Sequence, residues 1–331
     1  MSSRTQDILR REKMETTLPE LVSLFTATKQ TENKSINTVS WYKRRLGSFC
    51  QFLGEGARLP DLTINSARAF IASLQERTHR YVDHPITPEK EGGLSPNYIH
   101  SFVRAIKAFS SWLYEEGFTR QNVLAKMKRP SLPKPVIDIL TDEEINKLVN
   151  SINPNTFLGM RLMCIFLLLL DTGIRASELL GIKLDDIDWN SDTIKVLGKG
   201  NKERIVSFDP QTKKYLLRYV STFRPEPLNV HTQEVFLSVD GLPLSYTAFA
   251  HLVKRAGEEA GIDRLHPHLM RHTFAVKYLM NGGDLMSLKM ILGHTDIAVT
   301  QLYLHLAQSH VKVQHDRFSP VSRLKINRRR S

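Results

Sequence analysis

The sequence predicts a mainly α-helical fold in two parts, a helical N-terminal domain followed by a C-terminal domain of helices with one small three-stranded antiparallel sheet. Three observations carry this. Apolar residues recur at helical spacing through most of the 331 residues. A proline-rich stretch, Lys128 to Pro135 (KRPSLPKP), interrupts that spacing and reads as a linker. Between Ile187 and Phe208 the pattern shortens to the alternation of strands, broken by polar turns.

Residues 1–16 are polar and predict a flexible arm. The N-terminal domain spans 17–128. In it, Asn37 and Thr38 are candidate caps of a helix that turns Trp41, Leu46, Phe49 and Phe52 inward and carries Lys43, Arg44 and Arg45 on its flank. A shorter helix is predicted near Asn65 to Arg77. Arg80 to Gly93, with two prolines and two glycines, is a loop. Ser95-Pro96 opens the clearest helix, with Ile99, Phe102, Val103, Ile106, Phe109 and Leu113 as its apolar stripe and Gly117 as its stop. The linker occupies 129–136 and the second domain 137–316. There Thr141, with Glu144 three residues on, makes a capping box, and the apolar run to Leu170 is a buried helix. Ile187-Asp188-Trp189, Thr193 to Leu197 and Arg204 to Phe208 are the expected strands, with turns at Asn190-Ser191-Asp192 and Gly198 to Lys202. Helices resume at about Ser245 and run to about residue 316.

Charge is unevenly placed. The formal net charge is +12, which fits a polyanionic partner, either nucleic acid or an acidic membrane surface. Residues 1–137 carry 21 basic against 13 acidic side chains, residues 138–316 carry 19 against 21, and the tail, 317–331, has six basic and none acidic. Cys50 and Cys164 both sit among apolar residues and read as small buried hydrophobes, with no disulfide framework or zinc spacing. The longest apolar run, Leu162 to Leu170, is too short to span a bilayer. A reducing, cytoplasmic setting with no membrane partner is expected.

Four clusters in the C-terminal half carry chemistry. Cleaving a phosphodiester without a metal needs guanidinium groups on the anionic oxygens, an in-line nucleophile and a proton donor for the leaving oxygen. Thr172 to Leu179 (TGIRASEL) sets Arg175 after a glycine turn, with Glu178 three residues on as a buttress; an ordinary helix-start ion pair fits as well. Gly198 to Arg204 (GKGNKER) holds Lys199 and Lys202 at a hairpin tip, where a plain basic turn is the bland alternative. His266 to Thr273 (HPHLMRHT) puts His268 and Arg271 on one helical face near a helix start, which favours phosphate. The crowding of His266, His268 and His272 raises a metal site, but no carboxylate joins them at ligand spacing and none is expected. Leu292 to Asp296 (LGHTD) brings His294 to a helix mouth, where Thr295 or Asp296 can cap, and Tyr303 lies about two turns inside. A tyrosine so placed is ordinarily core.

Together the clusters resemble the tyrosine recombinase (phage integrase) family, and the strings TGIRASELLGI, GKGNKERIV, HPHLMRHTFA and LGHTDIAVTQLY are similar to those of its Xer-type members. The likeness is strong over 138–310 and rests on helix pattern over 17–130. It implies an N-terminal core-binding (SAM-like) domain that clamps DNA, a catalytic integrase domain and a site-specific strand transfer that needs no cofactor, metal or ATP. By that resemblance Arg175, Arg271 and His294 would hold the scissile phosphate and Tyr303 would attack it, leaving a 3′-phosphotyrosyl bond. His268 would be the base, Lys199 the proton donor to the 5′-oxygen, and Glu178 would orient Arg175. Lys43, Arg44, Arg45, Arg104, Lys107 and Lys202 would bind the DNA. The implied partners are double-stranded DNA with a specific recombination site and further copies in a tetrameric synapse, with room for a second recombinase or an accessory factor, in a nucleoid-associated setting. The basic tail would dock on a neighbouring protomer or act as a loose phosphate-binding arm. The uses implied are integration, excision or resolution, including that of mobile elements. Alternatives are a type IB topoisomerase-like DNA-relaxing enzyme, a catalytically inactive DNA-binding relative and a metal-dependent nuclease.

Overall fold

The computed structural model describes residues 15–80, 88–132, 137–198, 200–294 and 296–304, together with 315 and 319. The 1–16 arm and the 317–331 tail therefore lie largely outside the described residues, as do residues 133–136 of the 129–136 linker and Lys199. The chain separates into two compact units, 1–135 and 136–331. Their makeup is the mainly helical class with one three-stranded sheet that the sequence predicted.

The N-terminal unit is built from helices that begin on hydroxyl caps. Thr17 and Glu20 cap each other's backbone at the start of α1 (Leu18–Thr31). Ser35 opens α2 (Ile36–Leu53), two to three residues before the caps expected at Asn37 and Thr38, because its own hydroxyl reaches the Thr38 N–H at 3.3 Å. Thr63 opens α3 (Ile64–Gln75) and Ser95 opens α4 (Pro96–Glu115). Pro96 contributes the fixed φ of a first turn, and Gly117 takes the positive φ of 69° that ends the segment. The expected loop at Arg80–Gly93 is drawn together by a short ribbon, β1 (His79–Arg80) against β2 (Lys90–Glu91). The apolar stripes meet in a core of rings. Phe25 meets Phe109 at 5.6 Å, Phe49 meets Phe70 at 5.2 Å and Phe70 meets Phe102 at 5.5 Å. Phe52, expected inside, is 44% exposed: it sits at the last turn of α2 and only leans on Phe70.

In the C-terminal unit, Thr141 and Glu144 form the capping box of α5 (Asp142–Ser151). The apolar run becomes α6 (Phe157–Thr172), packed at the centre and ended by Gly173 in the left-handed region. A side chain at Gly173 would collide with the Phe274 ring at 2.2 Å. A short helix, α7 (Ala176–Leu180), follows. The sheet then runs in the order β3 (Ile187–Asp188), β4 (Thr193–Leu197), β5 (Glu203–Ser207), antiparallel, with Ile194 opposite both Ile187 and Val206. Helix returns earlier than expected. Asp209 caps α8 (Pro210–Arg218), which runs into a π turn at Tyr219–Phe223. The interleaved charges of QTKKYLLR hide this helix in the sequence; burial of Leu216 and Tyr219 holds it. Then come α9 (Tyr246–Glu259), α10 (Pro267–Met280), α11 (Leu285–Leu292) and α12 (Ile297–Leu304). Among the described residues no helix is long and apolar enough to cross a membrane.

Candidate active site

Two helix C-termini aim carbonyls at one spot. Helix α6 ends at Gly173 and α11 at Gly293, both with positive φ near 60°, so each chain turns sharply and leaves its last carbonyls unpaired. Arginines take up that capacity. Arg271, the fifth residue of α10 and 4% exposed, donates to Gly173 O at 2.6 Å and to Leu292 O at 2.7 Å. Arg204, on the inward face of β5, donates through Nε to Ile291 O at 2.7 Å. The negative ends of two helices and their carbonyls thus fix the planes of two guanidinium groups.

One carboxylate ties these groups to a third. Glu178 accepts from Arg204 in a two-pronged pair at 2.9 and 2.8 Å, and from the Arg175 side chain and backbone N–H, each at 2.8 Å. Burial pushes the Glu178 carboxyl up, but the hydrogen bonds from Arg204 and the Arg175 backbone outweigh it and hold it at about 2. Burial lowers the Arg271 guanidinium to about 10, with Arg175 beside it acting in the same direction; it stays charged at neutral pH. Two guanidinium groups therefore share one carboxylate, Arg271 adds a third positive charge held by carbonyls instead, and the site carries an excess of positive charge.

The imidazoles are set by their partners. His294 Nε2 lies 3.0 Å from an Arg271 nitrogen that can only donate, so Nε2 accepts and Nδ1 carries the proton that goes to Thr300 Oγ1 at 2.9 Å. Burial first, then Arg271 and Arg175, depress His294 to about 4. His266 Nδ1 accepts the Leu269 N–H and so caps α10. His268 reaches solvent at the mouth of the site; it still titrates below its ordinary value, from the protein packed around it and from Arg271, His266 and Arg175. Tyr303, on α12, is only 3% exposed, and its ring lies stacked 6.5 Å from that of His294. Burial raises its phenol, while Arg271 and Arg175 pull the other way. The nearest imidazole partner of the phenol is His272, not His268, with Nδ1 2.8 Å from Oη.

Arg175, Glu178, Arg271, His294 and Tyr303 thus converge in one place, with His268 at its rim. Sequence reasoning missed Arg204 and His272. A charged residue at an inward position of an alternating strand, two before the buried Val206, was the available signal for Arg204. For His272 it was the one-turn spacing from His268. The residues expected to bind DNA divide. Lys43, Arg44, Arg104 and Lys202 are exposed. Lys107 is a correction: its ammonium donates to the carbonyls of Leu124, Ala125 and Met127, so it closes a turn of its own domain. The half-buried Arg45 guanidinium lies over the Tyr98 ring at 4.2 Å and donates to Ser101 Oγ at 2.9 Å.

Comparison with known proteins places the chain in a family. Residues 138–310 match the model of the phage integrase family. The chain is 34% identical over 230 residues to the tyrosine recombinase XerD of Staphylococcus aureus, covering 69% of this chain and 78% of the relative. It is 33% identical over 290 residues to XerD of Staphylococcus saprophyticus, covering 86% and 93%. In fold it is similar to the XerH site-specific recombinase bound to palindromic difH substrate, with a TM-score of 0.69 and 19% identity over 87% of this chain and 82% of that one. A lambda integrase dimer bound to a COC′ core site gives a TM-score of 0.66 and 16% identity over 86% and 97%. The chain belongs to the phage integrase family and is a Xer-like tyrosine site-specific recombinase.

Proposed function

We propose that this recombinase cuts and rejoins double-stranded DNA at a specific site through a 3′-phosphotyrosyl bond on Tyr303. One observation carries the reading: Arg175 and Arg204 share the single Glu178 carboxylate, and Arg271, held by backbone carbonyls, adds a third guanidinium beside a buried phenol, which leaves positive charge that a phosphate would neutralise. Arg175 and Arg271 hold the non-bridging oxygens, His294 joins them when the bound phosphate draws a proton onto its Nε2 in place of the Arg271 contact, and His268 meets the phosphate at the rim. Each well-placed donor of this kind contributes on the order of 10²–10³ in rate. Lys199 protonates the leaving 5′-oxygen. Glu178 orients Arg175, and the energy stored in the phosphotyrosyl bond drives rejoining to another strand's 5′-hydroxyl.

Residues 17–128 act as the core-binding domain, with Lys43, Arg44 and Arg104 on DNA phosphates, and Lys202 adds a contact from the hairpin of the 137–316 catalytic domain. The 129–136 linker joins the two. Four protomers assemble the synapse, in which the 317–331 tail docks on a neighbour. Solved recombinases of similar fold were captured on DNA, a difH substrate and a COC′ core site, which supports a DNA partner; the use is integration, excision or resolution.

The test is a DNA adduct that survives detergent. Wild-type protein should form it in EDTA on a nicked duplex, the site first selected from random-sequence duplexes by binding to the full chain. Tyr303→Phe should bind the same duplex and form none. An adduct that persists in Tyr303→Phe removes the nucleophile assignment; binding with no wild-type adduct leaves an inactive DNA-binding relative.

A further inference from the structure

We infer that His272, the residue after Arg271 on α10, accepts the Tyr303 proton during strand cleavage. This rests on the phosphotyrosyl reading above and assigns a part of the reaction that the resemblance gave to His268.

The argument is one of donors and acceptors. His272 Nδ1 stands 2.8 Å from Tyr303 Oη, within proton-transfer distance. Burial first, then His268, His266 and Arg271, depress the His272 imidazole to about 4, so it is neutral at physiological pH and offers one lone pair. Burial keeps the phenol protonated, and with the His272 proton on Nε2 the phenol O–H supplies the hydrogen of this bond. The two other imidazoles near the phenol are otherwise placed. His294 directs one nitrogen at Arg271 and the other at Thr300. The His268 ring centre is 6.5 Å from that of His272, and among the described residues His268 makes no hydrogen bond to the phenol.

The step balances. The Tyr303 proton passes to His272 Nδ1 as the Oη–phosphorus bond forms and the phosphorus–O5′ bond breaks, and the leaving oxygen takes a proton from Lys199. In rejoining, the incoming 5′-hydroxyl gives its proton back to the Lys199 amine as it displaces Tyr303, which recovers its own proton from His272. An imidazolium beside Arg271 is unfavourable in the empty site. The diester's negative charge offsets it once DNA is bound, and a transfer concerted with attack forms no free phenolate.

The experiment measures single-turnover adduct formation on the selected nicked duplex, made with oxygen or with sulfur at the bridging 5′ position. Sulfur leaves without protonation, so it rescues the loss of a general acid and not the loss of a base. His272→Asn keeps a polar atom near Nδ1 but cannot take the proton. It should bind DNA within about twofold of wild type yet cleave both substrates at least about 100-fold more slowly, within the usual range for losing general-base catalysis. It should also flatten the acid limb of the wild-type pH–rate profile, leaving the part due to His294, which is likewise held at about 4. His272→Gln serves the same comparison if the first variant binds poorly. The inference fails if either variant cleaves as fast as wild type, which would make the contact structural, or faster, which would make it a latch on the nucleophile. It fails as well if sulfur restores the rate. Absence of any wild-type adduct on either substrate would instead remove the underlying phosphotyrosyl reading.

Discussion

The two units bury different things. Among the described residues the polar side chains buried in the N-terminal unit are Thr26 and Ser110, and the rest of its core is rings and aliphatic groups. The C-terminal unit buries Arg161, Glu178 and Arg271 together with several threonines. The N-terminal unit, which has the larger basic excess, keeps Lys43, Arg44 and Arg104 in water. Charge is thus a coat in one unit and a building element in the other. A coat acts at long range and is screened by salt; a buried array costs desolvation and is kept where its geometry does chemistry.

That contrast predicts a descending series of effects. Arg271→Ala should be the most severe. It removes a phosphate donor and leaves the carbonyls of Gly173 and Leu292 without their partner, so adduct formation should fall at least about 10²-fold and stability by roughly 3 kcal/mol or more. Denaturant titration and adduct assays on the full chain check both. Arg271→Lys, which keeps the charge but not the fork, should recover stability in part and rate hardly at all.

Arg204→Met should come next. Glu178 would lose its two-pronged partner and compete for Arg175, costing about 2–3 kcal/mol and slowing cleavage with little change in DNA affinity. Wild-type rate in this variant would show that Arg204 only packs the sheet against α11.

Acid should separate the units. His272 and His294 are held down to about 4 against an ordinary value near 6.5, so their contribution is complete above about pH 6.5 and is lost as pH falls toward 4. Glu178 at about 2 adds stability above about pH 4 that disappears between about 4 and 2. Hydrogen exchange on the full chain should therefore rise in α10 and α12 at a higher pH than in α4. Equal onset would contradict the contrast.

Smallest is the salt effect. Lys43→Ala should reduce the slope of log K against log salt by about 1. Lys107→Met should leave the slope alone and destabilise its own domain, because its donors already serve three carbonyls.

What could be read from the sequence follows the same division. Helices with hydroxyl caps and wide apolar stripes, such as α4 behind Ser95 and α5 behind the Thr141–Glu144 box, were legible because cap and stripe are local signals. So were the residue types at the site, since chemistry restricts them. What holds them was not. Arg271 is fixed by the carbonyls of residues 173 and 292, and any residue supplies a carbonyl. Lys107 looked like a DNA contact for the same reason: nothing local shows that the chain returns at Leu124 to Met127. Helix α8 was missed because its stripe is narrow and its hold comes from tertiary burial of Leu216 and Tyr219.

The most direct test of the central claim is to digest the detergent-stable adduct with nuclease and protease and to map the remaining nucleotide by mass spectrometry. The expected product is a peptide containing Tyr303 with a nucleotide linked through its 3′-phosphate. Attachment to any other residue, or through a 5′-phosphate, would contradict the assignment of the buried phenol as the nucleophile.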